Sequence, residues 1–523
     1  MMALGSGPWT RLAHLCCLLL FVAAAVLPVG MMAADSFKTP DGISLRPFRV
    51  LFENPQNLRL LVRTLLLSAA VAAATGVLGA ALGFLLTRTN LPLRRVFGLI
   101  LVVPLAIPPY INGIGWTEVL PEPFIYSFWG AVFVLTLSYF PIVLLFVQKA
   151  LRLAAPEVEE AALLCGTRRQ VAWHITLPLI FPAVLSGSLI AAMLTASELG
   201  VPTLLKVSVF NFEIFTRIGA FNDFQSATIL SLPMIGAAVA VLFLEARVTG
   251  NMTSELMETA HAEGAIVRLG PWTGAAVLFA LLMSAAAFAL PIGVLLAKSM
   301  SGAAYARALS IAARPLRHSL CLGIVCALVL TATACVLAVL KPRAGWQAKL
   351  AWALPLLTFA VPGAIIGLGL LRAYDRPTAP FHVLTASGGL IVCACLGRFL
   401  VIPARIVGGS LEQIPNSLPE TAAIDGAGAF MCFRHVLFPL VAPALLTSLV
   451  ICFILCVGEM SAAILVHPPG LETLPIALYT VEANSPSSVV AALSVILVVV
   501  TLAPAAALFL GVRPRGAGEK QCL

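Results

Sequence analysis

Apolar stretches of about 18 residues or more recur along the whole chain, the mark of membrane-crossing helices. In the first half they cover 12–33, 64–87, 97–119, 125–147, 177–199 and 226–246. In the second they cover 272–297, 318–340, 350–371, 384–406, 438–461 and 487–511. Polar stretches separate them: 35–62 and 200–224 read as external loops, and 247–270 reads as a linker. The third run contains Pro104, Pro108 and Pro109. Proline leaves a backbone carbonyl unpaired, so this span is expected to face the protein interior rather than lipid.

The pattern repeats. Pro156-Glu157-Val158-Glu159-Glu160-Ala161-Ala162 leads through Gly166 to Pro178, and Pro419-Glu420-Thr421-Ala422 leads through Gly426 to Pro439. The offset is 260 residues at the Glu and 261 at the Pro. Self-similarity at half the chain length reads as two fused, related halves. Their expected extents are 1–246 and 272–512, joined by a cytoplasmic linker 247–271 and followed by a tail 513–523. Six spans per half give both halves one orientation, the parallel-repeat arrangement. Residues 12–33, preceded by Arg11, also suit a signal peptide cleaved near Met32-Ala33-Ala34. However, Leu27-Pro28-Val29-Gly30 recurs as Leu290-Pro291-Ile292-Gly293, where no signal peptide can stand, and this favours a retained helix.

Composition narrows the class. Hydrophobic residues make up 60% and charged residues 11%, with mean hydropathy +1.02. A soluble domain carries roughly 25% charged residues, so the chain reads as an all-α integral membrane protein in the lipid bilayer. Its net charge is +9, but no Lys/Arg cluster with interleaved aromatics speaks for nucleic acid. Lys and Arg are more numerous on the side of the two repeated loops, which puts those loops and both termini in the cytoplasm. Twelve cysteines show no CxxC pair and no zinc-ligand spacing, and Cys452 and Cys456, one turn apart, read as small core residues.

The loops carry no catalytic pattern. No phosphate-binding GxxxxGK[ST] is present, nor a nucleophile triad or metal-ligand spacing. Glu160 and Glu420 sit where a short helix would begin, favourable to its dipole. Ala161 and Ala162 give a small face, Gly166 and Gly426 permit a sharp turn, and Pro178 and Pro439 suit the first turn of the next span. A short cytoplasmic helix on a hairpin suits docking to a groove on a soluble partner. Within the spans, Glu198 and Glu459 are equivalents, 261 residues apart near the external ends of the fifth and eleventh runs. Charges there are costly, which points to a mouth or gate, or to a helix-end carboxylate held by local bonds. Arg398 has Tyr139 as its counterpart and is expected closer to the cytoplasm than Glu459, without a direct pair.

Together these residues resemble the coupling-loop signature of type I ABC importer permeases. Two copies in one chain resemble the fused permeases of the ferric-iron and thiamine group. Arg398-Phe399, Gly458-Glu459 and the stretch Pro468 to Pro475 are similar to the iron-type members. The resemblance implies about twelve transmembrane helices in two parallel six-helix repeats, in a bacterial inner membrane. It implies two copies of an ABC ATPase subunit docked on the loops and an extracytoplasmic substrate-binding protein. ATP would be used by those partners, with no cofactor or metal bound by this chain. Ferric iron is the substrate it favours, with thiamine or a phosphonate as alternatives. A twelve-helix secondary transporter matches on span count alone. Three departures stand out: Thr421 replaces the first Ala of the motif, Phe438 replaces Leu, and the first loop runs 12 residues from Gly to Pro where the second runs 13.

Overall fold

Segments this apolar must satisfy their backbone polar groups internally, and helices do so. A computed structural model describes residues 8–39, 42–44, 48–49, 53–153, 162–250, 267–339, 346–375, 379–415 and 417–511. Among them, nine helices are long and apolar enough to cross a membrane. Three further helix pairs pass the same test together but bend: Arg94–Ala106 with Pro109–Thr117 by 97°, Ala353–Ala360 with Gly363–Tyr374 by 105°, and Gly389–Phe399 with Val401–Glu412 by 54°. Counted as one span each, they bring the total to twelve, as expected. The strands among the described residues form one short hairpin, Lys38–Thr39 against Gly42–Ile43.

The two sharpest bends fall at equivalent places, the third and ninth spans, and each carries proline at the break: Pro108 with Pro109, and Pro362. The segment after each break is interior, since Tyr110 to Trp116 and Val361 to Leu370 are buried without interruption. This agrees with the expected interior position for the part of the third span beyond the break, while Val96 and Leu99 before it are exposed.

Proline leaves a second mark. Among the described residues, four five-residue π turns occur, at Val22–Val26, Ala172–Thr176, Ala285–Ala289 and Phe433–Leu437. Each directly precedes an X-Pro pair: Leu27-Pro28, Leu177-Pro178, Leu290-Pro291 and Phe438-Pro439. In each, the N–H before the proline reaches back five residues, as from Leu177 to the Ala172 carbonyl. A proline ring clashes with the carbonyl four residues back, and the wider turn relieves that clash without ending the helix. Pro178 and Pro439 therefore do not open their spans as expected. They sit inside helices that begin at Arg168 and Ala429.

The second and eighth spans also exceed their apolar runs, covering Pro55–Arg88 and Gly302–Val339. Asn54 caps the first, its side chain accepting from the Gln56 N–H at 3.0 Å, with Pro55 at the first helical position. Arg59 and Arg63, or Arg307, Arg314 and Arg317, end the apolar run but not the helix. The residues expected as loop in 35–62 and before 318 are thus partly helical.

The described chain forms two compact units that are not the sequential halves. One comprises Met1–Met32, Tyr305–Phe359 and Ile366–Leu523, and the other Ala33–Ala304 and Ala360–Ile365. Each unit holds the first span of the opposite half. Within each, the X-Pro motif of that exchanged helix rests on a glycine of the bent span. A Cβ on Gly115 would lie 2.6 Å from Pro291 Cβ, and one on Gly369 would lie 3.0 Å from the Pro28 carbonyl carbon. Gly115 and Gly369 are equivalent positions, six residues beyond the breaks at Pro109 and Gly363. The Tyr374 hydroxyl donates to the carbonyl of Ala23 inside the first π turn, satisfying a backbone group the wide turn loosens.

Candidate functional site

The second repeated loop is described almost whole. Its short helix, Ser417–Ile424, has Glu420 in the first turn. Pro419 is buried, and Ala422 packs against a cluster of Val407, Leu411, Cys432, Leu437 and Val441. Glu420 and Thr421 stay exposed, and the Thr421 hydroxyl donates back to the Ser417 carbonyl. The helix ends in a Schellman turn: the Ala427 N–H reaches the Ala422 carbonyl, the Gly426 N–H reaches that of Ala423, and Gly426 takes φ +80°. Only glycine adopts that φ without strain. The helix is thus fastened on one side and presents its other side to solvent.

In the first loop Glu160 and Ala161 lie outside the described residues. Ala162 opens a described helical turn and is partly buried. Gly166 lacks the left-handed φ of Gly426. Here the turn is fixed by a capping box: Thr167 N–H and hydroxyl both donate to Gln170 Oε1, at 2.9 and 3.0 Å, while the Gln170 N–H approaches the Thr167 hydroxyl at 3.4 Å. Different local chemistry therefore accompanies the one-residue difference in loop length. Both loops then meet a histidine bound to the carbonyl four residues back, His174 on Gln170 at 3.0 Å and His435 on Met431 at 3.2 Å.

The intramembrane acids form a second matched pair of sites, one within each compact unit. The fifth span ends at Ser197, and Glu198 follows it. Its carboxylate accepts from the Gly200 N–H at 3.0 Å and from the Tyr139 hydroxyl at 3.1 Å. The eleventh span ends at Val457, and Glu459 lies in the break beyond. Its Oε1 accepts from the Ala462 N–H at 2.8 Å and from Arg398 Nη1 at 3.2 Å. The plan is the same twice: a carboxylate in a helix break takes a backbone N–H of the next short helix and one donor from a neighbouring span. Arg398 and Glu459 are buried, with side chains 8% and 5% exposed. Their direct pairing corrects the expectation that they do not pair, since the long guanidinium of Arg398 reaches the carboxylate in the break after the eleventh span.

The family described as the binding-protein-dependent transport system inner membrane component matches residues 76–250 and 347–514, one stretch in each half. The chain belongs to that family. It is 25% identical over 451 residues to a Fe(3+)-transport system permease protein of Haemophilus influenzae, covering 83% of this chain and 86% of that one. A second, putative ferric transport system permease of the same organism is 25% identical over 495 residues, covering 86% and 77%. A putative 2-aminoethylphosphonate transport system permease of Salmonella typhimurium is 30% identical over 149 residues, 28% of this chain and 54% of that one. The permease is thus an inner-membrane, multi-pass component of an importer, fused from two repeats.

Two features escaped the sequence reading. Leu164 and Ile424 are equivalents, each four residues after the motif glutamate, and they are 88% and 85% exposed. A large apolar side chain held out to solvent at the same point of both loops fits contact with a partner. Aligning the two loops at their offset of 260 residues would have found them. The other is a convergence of Cys326, Cys395 and Cys456, which lie on three spans far apart in sequence and so leave no spacing signal.

Proposed function

We propose that this permease forms the translocation path of an ABC importer for ferric iron. Two copies of an ATPase subunit dock on the repeated loops at Glu160–Gly166 and Glu420–Gly426 and supply the hydrolysis, while the chain itself carries no ATPase site and binds no cofactor. An extracytoplasmic binding protein delivers the substrate. Both termini and both loops lie in the cytoplasm. The ferric relatives carry the substrate reading, since their similarity extends over most of both chains. The exposed Leu164 and Ile424 support the docking reading. The second loop is fastened to its own unit through Pro419 and Ala422, so closure of the ATPases is transmitted there rather than absorbed. Glu198 with Tyr139, and Glu459 with Arg398, are the proposed gate elements, because each carboxylate in a helix break is tied to a neighbouring span where the chain changes direction.

Vesicles holding this chain, its ATPase and its binding protein take up iron(III) only when ATP is present. Uptake of 2-aminoethylphosphonate instead, which the Salmonella relative's match favours as the second reading, or of thiamine, overturns the substrate and leaves the importer. For orientation, cysteines placed at Gln170 and Phe430 react with an impermeant label only from the cytoplasmic side. Reaction of either from outside overturns the topology.

A further inference from the structure

Cys326 of the eighth span, Cys395 of the tenth and Cys456 of the eleventh converge inside one compact unit. Their three Sγ atoms all lie within 4.8 Å of one another, and all three residues are buried. A metal bound through sulfur at about 2.3 Å holds its sulfurs about 4 Å apart, so this triangle needs little contraction to close on one centre. Soft thiol ligands select soft, thiophilic centres over hard ones such as ferric iron. The surroundings then discriminate among soft centres. Three thiolates in an apolar interior carry a large desolvation cost, and a monovalent or divalent cation would leave net negative charge buried there.

We infer that the three cysteines form a binding site for a trivalent thiophilic metalloid delivered as its neutral hydroxide, with arsenous acid as the representative. The exchange needs no buried charge. Three S–H bonds and three As–O bonds break, three As–S bonds form, three waters leave, and arsenic stays at +3. Both partners are neutral before and after. Occupancy ties three spans together next to the gate pair. Arg398 follows Cys395 by three residues and Glu459 follows Cys456 by three, and the two are joined at 3.2 Å. The bound metalloid would restrain that ion pair and stop transport from within the membrane, a liability for an importer whose cargo is a hard cation.

The test uses the reduced full-length chain in lipid nanodiscs, incubated with arsenous acid and freed of excess. The expected result is one arsenic retained per chain, with an X-ray absorption spectrum showing three sulfur neighbours and no oxygen. Cys326→Ala, Cys395→Ala and Cys456→Ala each lose the three-sulfur spectrum, while Cys321→Ser, at an exposed cysteine, keeps it. The wild-type spectrum decides even if a variant folds poorly. Oxygen neighbours, fewer than three sulfurs, or no retained arsenic in the wild type overturn the site. A three-sulfur spectrum persisting in any of the three alanine variants overturns the assignment equally.

Discussion

Arg398 and Tyr139 occupy equivalent positions and do equivalent work with different chemistry. Each donates to a carboxylate in a helix break, but one donor is a cation and the other a neutral hydroxyl. The energetic consequences differ. Removing one member of a buried ion pair strands a charge and costs about 3–5 kcal/mol, whereas losing a hydroxyl donor to a carboxylate costs about 1.5–3 kcal/mol. Arg398→Met or Glu459→Met should therefore lower the melting temperature of the purified chain more than Tyr139→Phe. The double variant Arg398→Met with Glu459→Met should recover part of the loss, because no charge is left alone. Thermal unfolding followed by size-exclusion chromatography reads all four. If Arg398→Met proves as mild as Tyr139→Phe, or the double variant is worse than both singles, the pair is not what holds this break.

At the scale of the element, the repeated loop is a short helix fastened beneath and exposed above. Ala422 and Pro419 fix it to the cluster around Val407 and Leu411, and Gly426 stops it. Changing the exposed tip should leave the fold intact and uncouple the partner. Leu164→Asp with Ile424→Asp replaces apolar contact by buried carboxylates and should reduce substrate-stimulated ATP hydrolysis at least tenfold, if about 1.4 kcal/mol or more of coupling is lost. Membrane insertion and yield should stay unchanged. Stimulated hydrolysis at the wild-type rate would remove these residues from the interface. The two loops were legible in the sequence because a polar motif between apolar runs has few meanings and occurred twice. Helix ends were less legible: Arg59 and Arg317 end an apolar run while their helices continue. The π turns were hidden because Pro178 and Pro439 look like helix starts, and only the preceding helical residues show otherwise. The Arg398–Glu459 pair was missed because the two residues are 61 apart on different elements and hydropathy carries no signal of which spans pack together.

On the scale of the whole molecule, the halves seen in sequence and the compact units are different divisions. Each unit contains the first span of the opposite half: 1–32 lies with 305–359 and 366–523, and the seventh span, Gly270–Lys298, lies with 33–269. The exchange explains why Leu27-Pro28-Val29-Gly30 and Leu290-Pro291-Ile292-Gly293 are preserved as copies, since each has an equivalent glycine to meet. Gly115 meets Pro291 where a Cβ would strike proline backbone, and Gly369 meets Pro28 so closely that a Cβ would already press on its carbonyl and a larger side chain would displace it. A half made alone lacks the helix that covers its own bent span and carries one whose seat is missing. In lipid, an uncovered break exposes unpaired backbone groups, each costing several kcal/mol. We therefore expect residues 1–258 and 259–523, expressed separately, to be degraded or aggregated. Expressed together, they should co-purify through a tag on either and run as one species. Adding Gly369→Leu to the second fragment should abolish that recovery, because the Pro28 seat is filled. Two fragments that are each monodisperse alone, or recovery unaffected by Gly369→Leu, would show that the exchanged helices are not what completes each unit.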